Sequence, residues 1–177
     1  MVKKFGLSMV AALLLASGAT AAEFKNYDAM TKELKAENKK NGLYATTEDV
    51  KKAIKDPAWA VVDVRTSEEW AGAHIKGSNR IGRESPEVAI ENFVTDVDGK
   101  FTKTNIIVVC NSAARASIEA EALRKMGFDK VMIYDIYSWI DQCNPVVTAY
   151  SVKKDSSGTG LNFGEYFADH CKAEAKK

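Results

Sequence analysis

Asn105-Ile106-Ile107-Val108-Val109-Cys110-Asn111-Ser112-Ala113-Ala114-Arg115, continuing through Ala116 to Met126 and stopped by Gly127, is the stretch on which the fold turns. Ile106 to Val109 is wholly β-branched, the pattern of a strand buried on both faces. From Ser112 the apolar side chains recur at Ala116, Ala120, Leu123 and Met126, the spacing of a helix that Gly127 ends. Val131-Met132-Ile133-Tyr134 is a further strand of the same kind. Strand, tight loop, helix and strand in this order form a crossover unit, so the two strands pair in parallel.

Working outward, Ala58-Trp59-Ala60-Val61-Val62-Asp63-Val64 reads as another doubly buried strand. Thr46-Thr47-Glu48-Asp49 carries the spacing of a capping box and opens a short helix over Val50 to Lys55. One helical turn is expected over Glu68 to Ala73, a short helix over Val88 to Val94 entered through Ser85-Pro86-Glu87, and another over Ser138 to Asp141. Helices between buried strands predict a three-layer α/β sheet. Before this core, Phe24, Tyr27, Met30 and Leu34 recur at helical spacing with a narrow apolar stripe, ended by Asn41-Gly42. After it, Lys153 to Gly160 has the residue types of a loop, and Phe163, Tyr166, Phe167 and Cys171 fall on a helical stripe within Leu161 to Lys177.

The 177 residues hold 25 Lys plus Arg against 24 Asp plus Glu and are 46% apolar, a balance that fits a globular domain and excludes a disordered chain. Lys3 and Lys4 precede the apolar run Phe5 to Ala16, which is shorter than the ~20 residues of a spanning helix and leads to Ala19-Thr20-Ala21. This is the pattern of a cleaved secretory signal, and it predicts export to the periplasm. Cleavage after Ala21 removes both lysines and takes the formal net charge from +1 to −1. No basic excess remains for nucleic acid. The chain therefore divides into a signal peptide (1–21), an N-terminal helix (22–42), a core domain (43–148) and a C-terminal extension (149–177).

Ligands of an open parallel sheet bind outside the carboxyl ends of its strands, and Cys110 stands where the central strand ends and a helix begins. Asn111, Ser112, Ala113 and Ala114 are small enough for their backbone N–H groups to curl around one centre, at which the helix points its positive end. An anion is stabilised there, and a thiolate in such a cradle is a competent nucleophile near neutral pH. Arg115 adds a fixed positive charge at the rim. Cysteine-dependent phosphatases place one residue more between Cys and Arg; the shorter loop suits a sulfur atom attached to the cysteine rather than a tetrahedral phosphate.

A second motif lies upstream: Asp63-Val64-Arg65, then Glu69-Trp70, then Ala73-His74-Ile75-Lys76-Gly77-Ser78, with Ile81 following. Together with Cys110-x-x-x-x-Arg115, Trp139 and Pro145, it resembles the signature of the rhodanese-like domain family over residues 43–148. The resemblance implies a rhodanese-like three-layer α/β/α fold with a central five-stranded parallel sheet, and sulfurtransferase activity without cofactor or metal. Cys110 would then take the outer sulfur of a sulfane donor, hold it as a persulfide and pass it to a thiol, sulfide or cyanide acceptor. The run from Cys110 to Ala116, with Leu123-Arg124 and Gly127-Phe128, is similar to that of the periplasmic polysulfide-sulfur transferases within the family. That likeness implies a polysulfide-type donor, a homodimer and a periplasmic protein acceptor, with Arg65, Arg83 and Arg115 ringing the pocket mouth; Arg80 is the alternative to Arg83.

The sequence departs from the family where Asn111 replaces a basic residue and Ala116 replaces the Ser or Thr of thiosulfate-using members. A thiosulfate sulfurtransferase and a persulfide carrier that docks on a partner without turning over are the competing readings. Asp63 and His74 read as structural, Asp63 accepting from loop amides and His74 bonding the backbone. Three cysteines in an exported chain leave one unpaired, and pairing Cys143 with Cys171 would staple the extension to the core and leave Cys110 free. A metal site on Cys143, His170 and Cys171 lacks a fourth ligand.

Overall fold

The β-branched run is the centre of the molecule. In the computed structural model, which describes residues 24–149 and 164–174, β3 (Asn105–Cys110) is buried at every position after the first. It lies between β1 (Trp59–Asp63) and β4 (Lys130–Asp135), with the two-residue β2 (Asn79–Arg80) outside β1. All three pairings are parallel, and Val62, Val108 and Ile133 share one row of the register.

Alternation along the strands divides the core. Ala60, Val62, Ile106, Val108, Cys110 and Ile133 face α4 (Pro86–Ala89), α5 (Glu91–Val94) and α6 (Ala114–Lys125), where Ile90, Val94, Ala116, Ala120 and Leu123 meet them. Val61, Ile107, Val109, Met132 and Tyr134 face α2 (Thr47–Ala53) and α7 (Ile136–Asp141), packing on Val50, Ala53, Ile136 and Trp139. Helices cover both faces, as parallel pairing requires. Helix α7 starts two residues earlier than the apolar pattern alone marks, because the Asp135 side chain caps it, accepting from the Ser138 N–H at 2.8 Å.

The sheet has four strands where the resemblance implied five. The segment beside β4 makes a single parallel bridge, Tyr44 to Ile133. Ala45 N–H donates to Ile133 O and Ile133 N–H to Leu43 O, both at 2.9 Å. The strand cannot grow further because Thr46 immediately caps α2 in a capping box with Asp49. Arg124 on α6 reaches the same edge and donates to Val131 O at 2.9 Å. Its guanidinium also holds Asn38 of α1 (Tyr27–Lys40), fixing α1 against α6. That helix buries Thr31 and Asn38 rather than the aromatic end of its stripe, for Phe24 and Tyr27 are 91% and 50% exposed.

In the extension, the helical stripe expected through Phe163, Tyr166, Phe167 and Cys171 is overturned at Tyr166. Gly164–Tyr166 is a strand, β6, antiparallel to β5 (Val146–Thr148), and only Asp169–Glu174 is helical, as α8. Edge strand β5 offers unpaired backbone groups, and pairing them outweighs the helical spacing of the aromatics. Phe163 and the expectations of a loop over Lys153 to Gly160 and of a signal peptide over 1–21 lie outside the described residues. The ribbon is fixed to the core by a disulfide and by hydrogen bonds. Cys143 and Cys171 form a disulfide across 28 residues, and Val147 exchanges backbone hydrogen bonds with His74 at 2.8 and 2.9 Å. Both sulfurs near His170 are thereby spent and cannot serve as thiolate ligands to a metal.

A cross-link over this length stabilises by constraining the unfolded chain. Cys143→Ser is expected to lower unfolding free energy by about 2–4 kcal/mol in urea titrations of the oxidised protein. Dithiothreitol should lower the wild type equally and leave the variant unchanged.

Candidate active site

Cys110 is the last residue of β3, and α6 begins four residues later at Ala114. The chain turns at Ala113, which has φ +61° and ψ 0° in the left-handed region, a conformation that costs a non-glycine residue about 1–2 kcal/mol. Ala113 offers no side-chain cap to α6. The Cys110 sulfur takes that place: Ala116 N–H in the first turn of the helix donates to Sγ at 3.4 Å. The thiol is 1% exposed and unpaired, with a helix N-terminus aimed at it. The structure thus brings Cys110 together with Asn111, Ser112, Ala113, Ala114 and Arg115 in one tight loop, in which Ser112 alone is exposed and Ala113 is buried.

The loop is closed by α3 (Ser67–Gly72). Arg115 donates from both terminal nitrogens to Glu69, Nη1 to Oε2 at 2.7 Å and Nη2 to Oε1 at 2.8 Å. Glu69 also accepts from Asn111 Nδ2 and, as the acid of the Thr66 capping box, from Thr66 N–H at 2.9 Å. Hydrogen bonds and charge from Arg115 pull its carboxyl down to about 2 despite burial. The glutamate of the upstream motif therefore caps a helix and closes the cysteine loop at once.

The three expected arginines take different places. Arg65 is 4% exposed, so it does not stand at the mouth. Its guanidinium is held by both oxygens of Asp63 at 2.8–3.0 Å and by Ala73 O at 2.6 Å. Its Nη1 reaches Asn111 Oδ1 at 3.4 Å, so Asn111 bridges Arg65 and Glu69. Burial demands this arrangement, since a buried guanidinium is tolerated only when its charge and donors are met. Arg83 is exposed in the loop before α4. With Arg115 it lines a cavity of about 180 Å³ beside the cysteine loop, whose wall also includes Tyr27, Val64, Pro86 and Glu119. A second cavity, of about 200 Å³ and lined by Ile54, Trp59, Gly77 and Lys103, lies at the opposite, amino ends of the strands.

The remaining motif residues shape the surroundings. Asp63 accepts from the Arg65 N–H at 2.9 Å. His74 stacks on Trp70 with ring centroids 3.8 Å apart, and its Nδ1 lies 2.9 Å from Trp70 O. Gly77 has φ +89°, and a Cβ there would lie 2.6 Å from Ile54 Cγ2, so only glycine fits. Sequence reasoning passed over Glu119. It is 6% exposed, its Oε1 is buried without a hydrogen-bond partner, and burial together with Glu87 pushes its carboxyl up to about 7. Its signal was an acid on the helix face that also carries Ala116, Ala120 and Leu123.

The fold is an α/β protein whose central parallel strand ends in an unpaired thiol facing the N-terminus of a helix. The rhodanese-like domain family matches residues 46–139, and the chain belongs to that family, which is generally one of sulfurtransferases. Among solved structures, the polysulfide-sulfur transferase homodimer from Wolinella succinogenes is 19% identical with a TM-score of 0.52, covering 77% of this chain and 93% of its own. The Alr3790 protein from Anabaena sp. is 18% identical with a TM-score of 0.50, covering 59% of this chain and 91% of its own. Likeness at this level concerns the fold. No curated protein matches the chain.

Two acids make opposite predictions. Glu69 is held ionised in the native state, so its contribution is present above the ordinary glutamate range and lost as pH falls towards 2. Glu69→Gln should cost about 1–2 kcal/mol at pH 7, after discount for partial exposure, with the gap closing in urea titrations at pH 3. Glu119 binds its proton more tightly when folded, so native stability falls as pH rises from about 4.5 through 7. Glu119→Gln should therefore stabilise by about 1–3 kcal/mol at pH 8 and change little at pH 4.5.

Proposed function

We propose that this protein is an exported sulfurtransferase that moves sulfane sulfur through a persulfide on Cys110, with a polysulfide-type anion as donor. The observation that carries the reading is the Cys110 sulfur, seated at the N-terminus of α6, bonded to Ala116 N–H and enclosed by a loop that Arg115 and Glu69 close. The Cys110 thiolate attacks the terminal sulfur of the donor; a bond forms between Sγ and that sulfur, and the donor's S–S bond breaks, releasing a polysulfide one sulfur shorter with the electron pair. The persulfide is itself an anion, which the loop amides and helix end stabilise. A thiolate, sulfide or cyanide then attacks the outer sulfur and restores the Cys110 thiolate, so no oxidant or reductant is consumed. Asn111, Ser112, Ala113, Ala114 and Arg115 hold the persulfide, Arg83 draws the anion in, and Arg65 acts from beneath through Asn111.

Lys3, Lys4, the apolar run to Ala16 and Ala19-Thr20-Ala21 support export to the periplasm. Ala116, which offers its amide but no hydroxyl to the sulfur, favours polysulfide over thiosulfate as donor. A homodimer, the state of the Wolinella succinogenes transferase, belongs to the same proposal. The second reading, a persulfide carrier that releases sulfur only to a docked protein, is favoured by the burial of Cys110 at 1% exposure.

Intact mass spectrometry of the mature, unreduced protein after brief exposure to polysulfide tests the proposal. The wild type is expected to gain about 32 Da per added sulfur, Cys110→Ser to gain nothing, and cyanide to remove the gain. Loading that cyanide cannot remove would favour the carrier, and absence of loading by polysulfide and thiosulfate alike would refute sulfur transfer.

A further inference from the structure

Glu119 has no task in the chemistry above, yet it sits where a buried acid is costly. It lies one helical turn beyond Arg115 on α6, so the two side chains share a face. Both line the cavity beside the cysteine loop, to which Tyr27 of α1 and Arg83 of the loop before α4 contribute as well. The cavity adjoins the thiol's strand end: Arg115 closes the Cys110 loop, and Val64 in the cavity wall donates its N–H to Val109 O at 3.0 Å.

The charges around this cavity leave a simple balance. Arg115 is neutralised by Glu69 through two hydrogen bonds. Glu84 spends its carboxylate on Arg80 and on the backbone N–H of Arg83. The guanidinium of Arg83 has no ion pair among the described residues and is exposed to the cavity. From α4, Glu87 places a like charge near Glu119. From α1, Tyr27 faces Arg115. Strands β3 and β4 present Ile106, Val108, Val131 and Ile133 to α6, together with Cys110. Among the described residues that line the cavity, Arg83 is then the one cation not spent in an ion pair; an ionised Glu119 cancels it, and Glu87, outside the lining, adds to that negative charge.

We propose that this cavity is a proton-coupled subsite for small sulfur anions, in which the anion binds against Arg83 while Glu119 is in its neutral acid form. The site rests on the sulfur-transfer reading for the identity of its ligand, and it makes Glu119 a specificity-determining residue that ties anion uptake to pH. Because burial holds the Glu119 carboxyl at about 7, the binding-competent form is the larger fraction at pH 6 and the smaller at pH 8. When only that form binds, apparent affinity falls by about tenfold between those values.

The test is isothermal titration of the mature Cys110→Ser protein with thiosulfate, a dianion at every pH used, in buffers of different ionisation heat. The expected result is a tenfold loss of affinity from pH 6 to pH 8 with net proton uptake near pH 7. In Cys110→Ser with Glu119→Gln, affinity should stay at the pH 6 value throughout with no proton uptake, and Arg83→Gln should weaken binding at every pH. Binding that is independent of pH in the parent, a pH dependence that survives Glu119→Gln, or no binding at millimolar thiosulfate would each overturn the subsite. Should the glutamine variant fail to fold, the carboxyl carbon resonance of Glu119 in the parent supplies the answer: thiosulfate must raise its titration midpoint, and an unmoved midpoint refutes the proposal. These measurements use a protein without the thiol, so failure of Cys110 to load in the mass experiment would refute sulfur transfer alone.

Discussion

The paired hydrogen bonds between Arg115 and Glu69 join segments 46 residues apart, and the geometry of the site hangs on them. Removing the pair would free the far end of the cysteine loop, deprive Asn111 of its acceptor and leave the Thr66 N–H without its partner. Three local structures thus share one carboxylate. Such sharing is favourable here because the pair is partly sheltered, with side-chain exposures of 22% and 29%, so solvent screens it less than a surface pair. Beneath it, the fully buried Asp63–Arg65 pair has a different character. It gains little over an apolar substitute, but once built it fixes the position of Ala73 O and of Asn111, which sets the floor of the loop.

The parts of the fold written in short-range pattern were legible in the sequence. The apolar runs at Ile106 to Val109 and Val131 to Tyr134 marked the parallel pair, and the capping signal at Thr46 is the one the chain uses; the like box at Thr66 was passed over. The cysteine was placed correctly at the strand end because strand, small-residue loop and helix follow one another without a gap. What escaped depended on partners distant in sequence. The fifth strand that the resemblance implied is reduced to a single bridge at Tyr44, which only its pairing with Ile133 across the fold reveals. Gly164–Tyr166 was read by its aromatic spacing, although its conformation is decided by β5.

The site was legible in its residue types and less so in their roles. Arg65 and Arg115 belong to the same motif set, yet one is buried on Asp63 and the other closes the loop, a difference set by which acid each meets in space. Asn111 looked like the loss of a charge; in the structure its amide serves as acceptor to Arg65 and donor to Glu69, a pair of roles that no basic side chain can fill. Glu119 escaped because an acid on a helix face is usually solvated, and only the packing of α4 over α6 reveals that this one is not.

The edges of the sheet also bear on how the molecule behaves in company. A strand with a free outer edge is a template on which another chain can add itself, the first step of aggregation. Here β2 is two residues long and offers almost nothing to copy. On the other side, Val131 O is taken by Arg124, and the N–H and C=O of Ile133 are taken by Leu43 and Ala45. Lys130 and Asp135 stand as charges at the two ends of that strand. The stub that fails to become a fifth strand, together with one arginine, therefore acts as a stopper that keeps the sheet from recruiting its neighbours.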